Sequence, residues 1–203
     1  MSKTLKLAAV VAAATFTLAA CGTTSDTGSS TTSSSSQIDS KHNDADVSFA
    51  QDMIPHHAQA VVMAKMARTR ASDPDVTALA ADIEAAQGPE IEQMSGWLRT
   101  WGVKVPDADT ETDGSGMGGM GGMDADDMPG MMTGGQMSRL GKASGADFDR
   151  MWLQLMIQHH QGAVEMAEAE QREGQNPDAV ALAKKIEAAQ TAEISRMQER
   201  LGV

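Results

Sequence analysis

The sequence predicts an all-α protein, a four-helix bundle built from two repeated helical hairpins. Three observations predict it. First, Met53-Ile54-Pro55-His56-His57-Ala58-Gln59-Ala60-Val61-Val62-Met63-Ala64 recurs as Met156-Ile157-Gln158-His159-His160-Gln161-Gly162-Ala163-Val164-Glu165-Met166-Ala167. The offset holds downstream, where Leu79, Ile83, Glu84, Gln87, Glu90, Ile91, Met94 and Leu98 reappear as Leu182, Ile186, Glu187, Gln190, Glu193, Ile194, Met197 and Leu201. About 23 of roughly 50 aligned positions are identical without a gap, so the two copies must fold alike. Second, apolar residues step by three and four through both copies, which is the period of a helix buried on one side. Third, the helix ends carry matching stop and start residues, and no segment alternates as a strand would.

The first predicted helix places Phe49, Met53, His56, Ala60, Met63 and Ala67 on one line. Asp44 or Asp46 can cap its start. Pro55 falls inside it, where the second copy has Gln158, and should kink the helix or free a carbonyl just before the first histidine pair. Asp73-Pro74 starts the second helix, an N-cap followed by proline at the first helical position. That helix carries Leu79, Ile83, Gln87, Glu90, Met94 and Leu98 inward and stops at Gly102. In the second copy Asp147 is the expected cap, Gly174 the stop, Asn176-Pro177 the next start and Gly202 the end. The hairpins therefore span 44–102 and 144–203, and 103–143 joins them. Two hairpins with short turns and one long connection make a four-helix bundle.

The N-terminus precedes the fold. Lys3 and Lys6 give a short positive region, and Leu7 to Ala20 is apolar, too short to span a membrane comfortably. Residues 1–21 therefore read as a signal peptide ending in Leu18-Ala19-Ala20-Cys21, which resembles the lipobox of bacterial lipoproteins. That resemblance implies lipidation of Cys21 with palmitate-type acyl chains and an anchor on the extracytoplasmic face of the cell membrane. Cys21 is the single cysteine, so it has no disulfide partner within the chain. Residues 22–43 are rich in Ser, Thr and Gly and cannot bury enough apolar area to offset their ordering entropy; they read as a tether.

Charge and composition narrow the function. A net charge of −12 argues against nucleic acid and against an anionic membrane surface, and is compatible with cations. Only 3% of residues are aromatic and none is tyrosine, which leaves little for stacking on bases or sugars. No nucleophile arrangement, phosphate loop or nucleotide fingerprint is present. Gly118-Gly119 and its neighbours lack the strand and helix that such motifs need.

The histidines carry the chemistry. Four of the five lie in the repeat as adjacent pairs flanked by methionine. His56 shares a line with Met53 and Met63, and His57 a neighbouring apolar line, so both face into or beside the core. A single histidine there is most often a hydrogen-bonded core residue. Four related by a repeat, each near a methionine, point to a metal. Imidazole is a common ligand and soft thioether sulfur selects Cu(I). Met53-x-x-His56 and Met156-x-x-His159 place sulfur and nitrogen one turn apart. Histidine ligands compete with protons, so such a site is expected to fade as pH falls through about 6.5.

The connection 103–143 holds Met117, Met120, Met123, Met128, Met131, Met132 and Met137 among Gly, Asp and Ser. Met117-x-x-Met120-x-x-Met123 could wrap three thioethers around one soft ion. Nothing in this loop forms an apolar face, and deleting about 115–137 is expected to leave the fold intact. Glu84, Glu90, Glu187 and Glu193 also repeat and suggest inward or capping roles. A di-iron site would want Glu-x-x-His, and Met53, Ile54, Met156 and Ile157 stand where that glutamate should be.

Phe49-x3-Met53-Ile54-x-His56-His57-x2-Ala60-Val61-x-Met63-Ala64, followed by Ile83-x6-Glu90-Ile91-x2-Met94, resembles the bacterial secreted family catalogued as domain of unknown function number 305. The resemblance implies a ferritin-like four-helix bundle and a role in extracytoplasmic copper binding and resistance. Carried over position by position, it marks Met53, His56, His57, Met63, Met156, His159, His160 and Met166. The expectation is a lipid-anchored, non-enzymatic protein that sequesters copper or passes it to or from a copper-donor or acceptor protein. The alternatives are a ferritin-like oxidase using iron or copper, and a structural lipoprotein whose histidines only satisfy each other.

Overall fold

The computed structural model describes residues 41–107 and 128–203. Among these residues there are five helices and no strand: α1 Asp44–Arg70, α2 Pro74–Thr100, α3 Gly134–Lys142, α4 Gly145–Glu173 and α5 Pro177–Leu201. The expected signal peptide with Cys21, the expected tether up to residue 40, and Met117, Met120 and Met123 lie outside the described residues. α1 pairs with α2 and α4 with α5, and the two hairpins meet chiefly through α1 and α4. The expected all-α bundle of two hairpins is the observed fold.

The helix ends follow the expected chemistry with two corrections. Asn43, not Asp44 or Asp46, caps α1; its side chain accepts from Asp46 N–H while Asp46 accepts from Asn43 N–H, closing a capping box. Asp147 does not cap α4. Ser144 precedes that helix, which starts at Gly145, and Asp147 sits in its first turn. Gly174 follows α4 as expected, but at φ −67°, so a left-handed turn is not the reason for glycine. A Cβ there would lie 2.2 Å from the Glu170 carboxyl, so the glycine makes room for a side chain. α1 runs unbroken through Pro55, and α2 through Pro89.

Two buried aspartates clasp the hairpins together. Asp46 accepts from Gln175 N–H and, at 2.8 Å, from Asn176 N–H in the α4–α5 turn. Its repeat equivalent Asp149 accepts from Ser72 N–H, Ser72 Oγ–H and Asp73 N–H in the α1–α2 turn. Each hairpin thus holds the turn of the other. A buried N–H left unpaired costs about 1–3 kcal/mol, against about 0–1 kcal/mol for an exposed ion pair such as Arg196–Asp82, so these clasps outweigh the surface bridges.

Glu170 breaks this symmetry, because Ala67 stands at its equivalent position. Glu170 is buried and no donor faces its oxygens, so its carboxyl must itself donate to Asp46. Burial, and then the Asp46 carboxylate, push Glu170 up to about 8. Burial alone would raise Asp46 too, but donors from Asn176, Asn43, Glu170 and Gln175 outweigh it and hold Asp46 below its usual range. Glu170 stabilises the fold fully below its unfolded value of 4.5, and this contribution is lost as pH rises through about 8. Glu170→Gln keeps a donor for Asp46 and removes the titration. Its urea midpoint should match wild type near about pH 4.5 and exceed it near about pH 9. Parallel curves for the two proteins across that range would refute the protonated carboxyl.

The connection departs most from expectation. Its C-terminal part is not a featureless linker: Thr133 and Gln136 form a capping box for α3. Met131, Met132, Met137 and Leu140 are buried, the last three within the apolar cluster that includes Phe148 and Trp152. Deleting 115–137 would therefore cut into the core, and the expectation of an intact fold is corrected.

Candidate metal centre

The apolar core is split in two by a polar layer. One cluster takes Ala60 to Ala67 from α1, Phe148 to Met156 from α4 and the buried residues of 132–140. The other takes Phe49 to Ile54 from α1 and Ala163 and Ala167 from α4. Between them on each helix stands a histidine pair. His56, His57, His159 and His160 are all wholly buried and close enough to influence one another's charge. The His56 and His159 rings lie 3.7 Å apart, centroid to centroid, and His159 and His160 6.3 Å apart. The structure thus brings all four sequence-predicted histidines to one level of the bundle.

Hydrogen bonds fix the tautomers. His57 Nε2 lies 2.9 Å from Glu90 Oε2, and His160 Nε2 lies 2.7 Å from Glu193 Oε2. Although burial opposes it, the His57 ring and the Lys185 ammonium, 3.1 Å from Oε1, hold Glu90 below the usual carboxylate range. An ionised carboxylate only accepts, so His57 donates from Nε2. His56 Nε2 lies 3.1 Å from the Pro129 carbonyl, which also only accepts. Burial drives His56 down to about 3, and lowers His57 and His159 as well. These rings are neutral at ordinary pH, with Nε2 protonated and Nδ1 a bare lone pair in His56 and His57. The Nδ1 atoms of all four histidines, and Nε2 of His159, are buried without a partner.

The far-side acceptors are the kind that metal-ligating histidines use. A ligating histidine usually gives its far N–H to a carboxylate or carbonyl, which orients the ring and raises its basicity. Glu90 and Glu193 are those acceptors, at equivalent positions of the repeat. Their inward role was legible in the repeat, but the histidine as partner was not. Glu84 and Glu187 serve elsewhere: Glu84 pairs with Arg68 at 3.7 Å and Glu187 accepts from Gln171 at 2.6 Å. Gln87 and Gln190, one turn before each glutamate, are buried with amide atoms unpartnered and complete the polar layer.

Met53, Met63 and Met156 are fully buried in the apolar clusters, and Met166 is half-buried against one of them. Among the described residues no group of three His, Cys, Asp or Glu side chains stands ready around a metal position. Binding through the Nδ1 atoms would therefore need ring rotation or a thioether in the set. Burial makes the His56, His57 and His159 rings weaker competitors for protons than a free imidazole.

Solved structures resemble this chain closely. A Streptomyces coelicolor protein, classed as secreted and carrying the same domain, is 35% identical over 78% of this chain and 92% of its own, with a TM-score of 0.66. A fragment from Deinococcus radiodurans is 30% identical over 79% of this chain and 97% of its own, with a TM-score of 0.67. CopM in a Cu(II)-bound form is 32% identical over 76% of this chain and 93% of its own, with a TM-score of 0.62, and it also has Cu(I)- and silver-bound structures. No curated protein sequence matches the chain. The paired histidines, the repeated hairpins and a family profile matched over residues 46–201 agree: the chain belongs to the family described as Domain of unknown function (DUF305).

Proposed function

We propose that the protein is an extracytoplasmic copper-binding lipoprotein that sequesters the ion or hands it on, without catalysis. The observation that carries this reading is the set of buried, unpartnered Nδ1 atoms on four clustered histidines, three of them with Nε2 held by a fixed acceptor. A purely structural network would use both nitrogens of each ring, because an unpartnered buried polar atom costs about 1–3 kcal/mol. The binding of Cu(II), Cu(I) and silver by the similar CopM supports copper as the cargo. Met53, Met63, Met156 and Met166 would add soft donors near the histidines, and Met117, Met120 and Met123 a separate thioether site. Iron has no comparable support, since Glu90 and Glu193 are engaged as acceptors for the histidines. Anchoring through Cys21 rests on the lipobox, and the S. coelicolor relative supports an extracytoplasmic place.

Metal content is the direct test. Protein purified from copper-supplemented cells should retain copper in preference to zinc and iron, and should take up Cu(I) and Ag(I) when stripped. Protein that emerges without copper and takes up neither ion would overturn the reading in favour of a structural network.

A further inference from the structure

The two halves of the histidine layer are not equivalent, and the difference comes from two positions where the repeat diverges. Gln59 on α1 and Gly162 on α4 occupy the same place in the two copies. The segment Pro129–Met132 lies against both. The Gln59 amide takes Met132 by its backbone at both ends: Nε2–H donates to the carbonyl at 2.9 Å and Oε1 accepts from N–H at 2.7 Å. On the other side, a Cβ at Gly162 would lie 2.1 Å from the Pro129 oxygen and 2.7 Å from Gly130 Cα. Gly130 adopts φ +76°, and a Cβ there would lie 2.8 Å from the carbonyl oxygens of Gln158 and His159. The strap can follow this path only because both residues are glycine.

Seated this way, the strap brings the Pro129 carbonyl to His56 Nε2 and offers no hydrogen bond to the His159 ring, which has the His56 backbone beside it and no well-formed hydrogen bond of its own. We propose that Gln59 and Gly162 are positioning residues: they seat the Pro129–Met132 strap so that His56 is fixed as the Nε2–H tautomer while the facing His159 has no such anchor. The pair then consists of one anchored and one exchangeable ligand. A cargo ion held by such a pair can be released by loss of one imidazole without disturbing the other. This deepens the copper reading and rests on it, but the tautomer itself can be read without metal.

The test is side-chain nitrogen NMR of the histidines in the full-length apo protein, followed by Ag(I) titration. In wild type, His56 should be a single Nε2–H tautomer and His159 a mixture. In Gly162→Ala and in Gln59→Leu, His56 should become a mixture as well. Ag(I) affinity should fall by about 10–100-fold, the range for loss of an outer-shell partner, with helix content kept. If Gly162→Ala fails to fold, Gln59→Leu decides alone. A wild-type His56 that is mixed, or that stays purely Nε2–H in the variants, overturns the assignment. A fixed wild-type tautomer that is lost in the variants, with no Ag(I) uptake by any of them, supports the strap and overturns the copper reading instead.

Discussion

Replacing His56 and His159 together with leucine is expected to abolish tight copper binding and yet leave the apo protein at least as stable as wild type. The two rings face each other at 3.7 Å, and between them they leave three buried nitrogens without partners. Removing unpaired buried polar atoms in favour of apolar groups of similar size is neutral or stabilising, whereas breaking a satisfied network costs stability. The sign of the stability change therefore separates a site retained for function from a network retained for the fold. Copper affinity should fall by more than the roughly 100-fold that loss of an outer-shell partner can cause, because ligands themselves are gone. Acid behaviour should change too. The His56 contribution to wild-type stability is full above 6.5 and is lost as pH falls towards about 3, because the unfolded chain takes a proton that buried His56 refuses. The variant should show a shallower acid loss. Thermal melts from about pH 4 to 8, with Cu(I) competition titrations, read both effects. A variant that keeps wild-type copper affinity, or that loses several kcal/mol at neutral pH, would sink the reading.

Much of this was legible in the sequence, for definite reasons. A gapless repeat fixes the pseudo-symmetry before any coordinates, and Asp73-Pro74 and Asn176-Pro177 mark helix starts that need only local chemistry. The histidines were readable as inward because helical spacing puts them on apolar lines. Long-range partners were not readable. Nothing local says that Asp46 and Asp149 reach across to the opposite hairpin's turn, or that Glu90 and Glu193 receive the histidine protons. The divergent positions Gln59/Gly162 and Ala67/Glu170 carried signal in principle. A repeat that keeps glycine against glutamine at a helix interior is keeping space on one side only, and that space is where the connection docks.

Methionine in the connection was misread as a single class, and side-chain volume against sulfur chemistry now divides it. Met132 and Met137 sit in the cluster with Leu140, Phe148 and Trp152, and Met131 is 7% exposed. Changing a buried methionine to alanine costs about 2–5 kcal/mol. The triple variant Met131→Ala, Met132→Ala, Met137→Ala should therefore consume most of the roughly 5–15 kcal/mol that holds an ordinary domain folded. Changing the same three to leucine conserves volume and should cost under about 1.5 kcal/mol each, with copper capacity unaltered. Met117, Met120 and Met123 should behave in the opposite way. Leucine there removes only sulfur, so Cu(I) capacity should drop with stability unchanged, most visibly near about pH 5, where thioethers have no proton to compete for the ion. Urea denaturation and Cu(I) titration of the two leucine triples decide the matter. If Met131, Met132 and Met137 as leucines lose Cu(I), these are ligands as well as core; if Met117, Met120 and Met123 as leucines lose none, those methionines are linker.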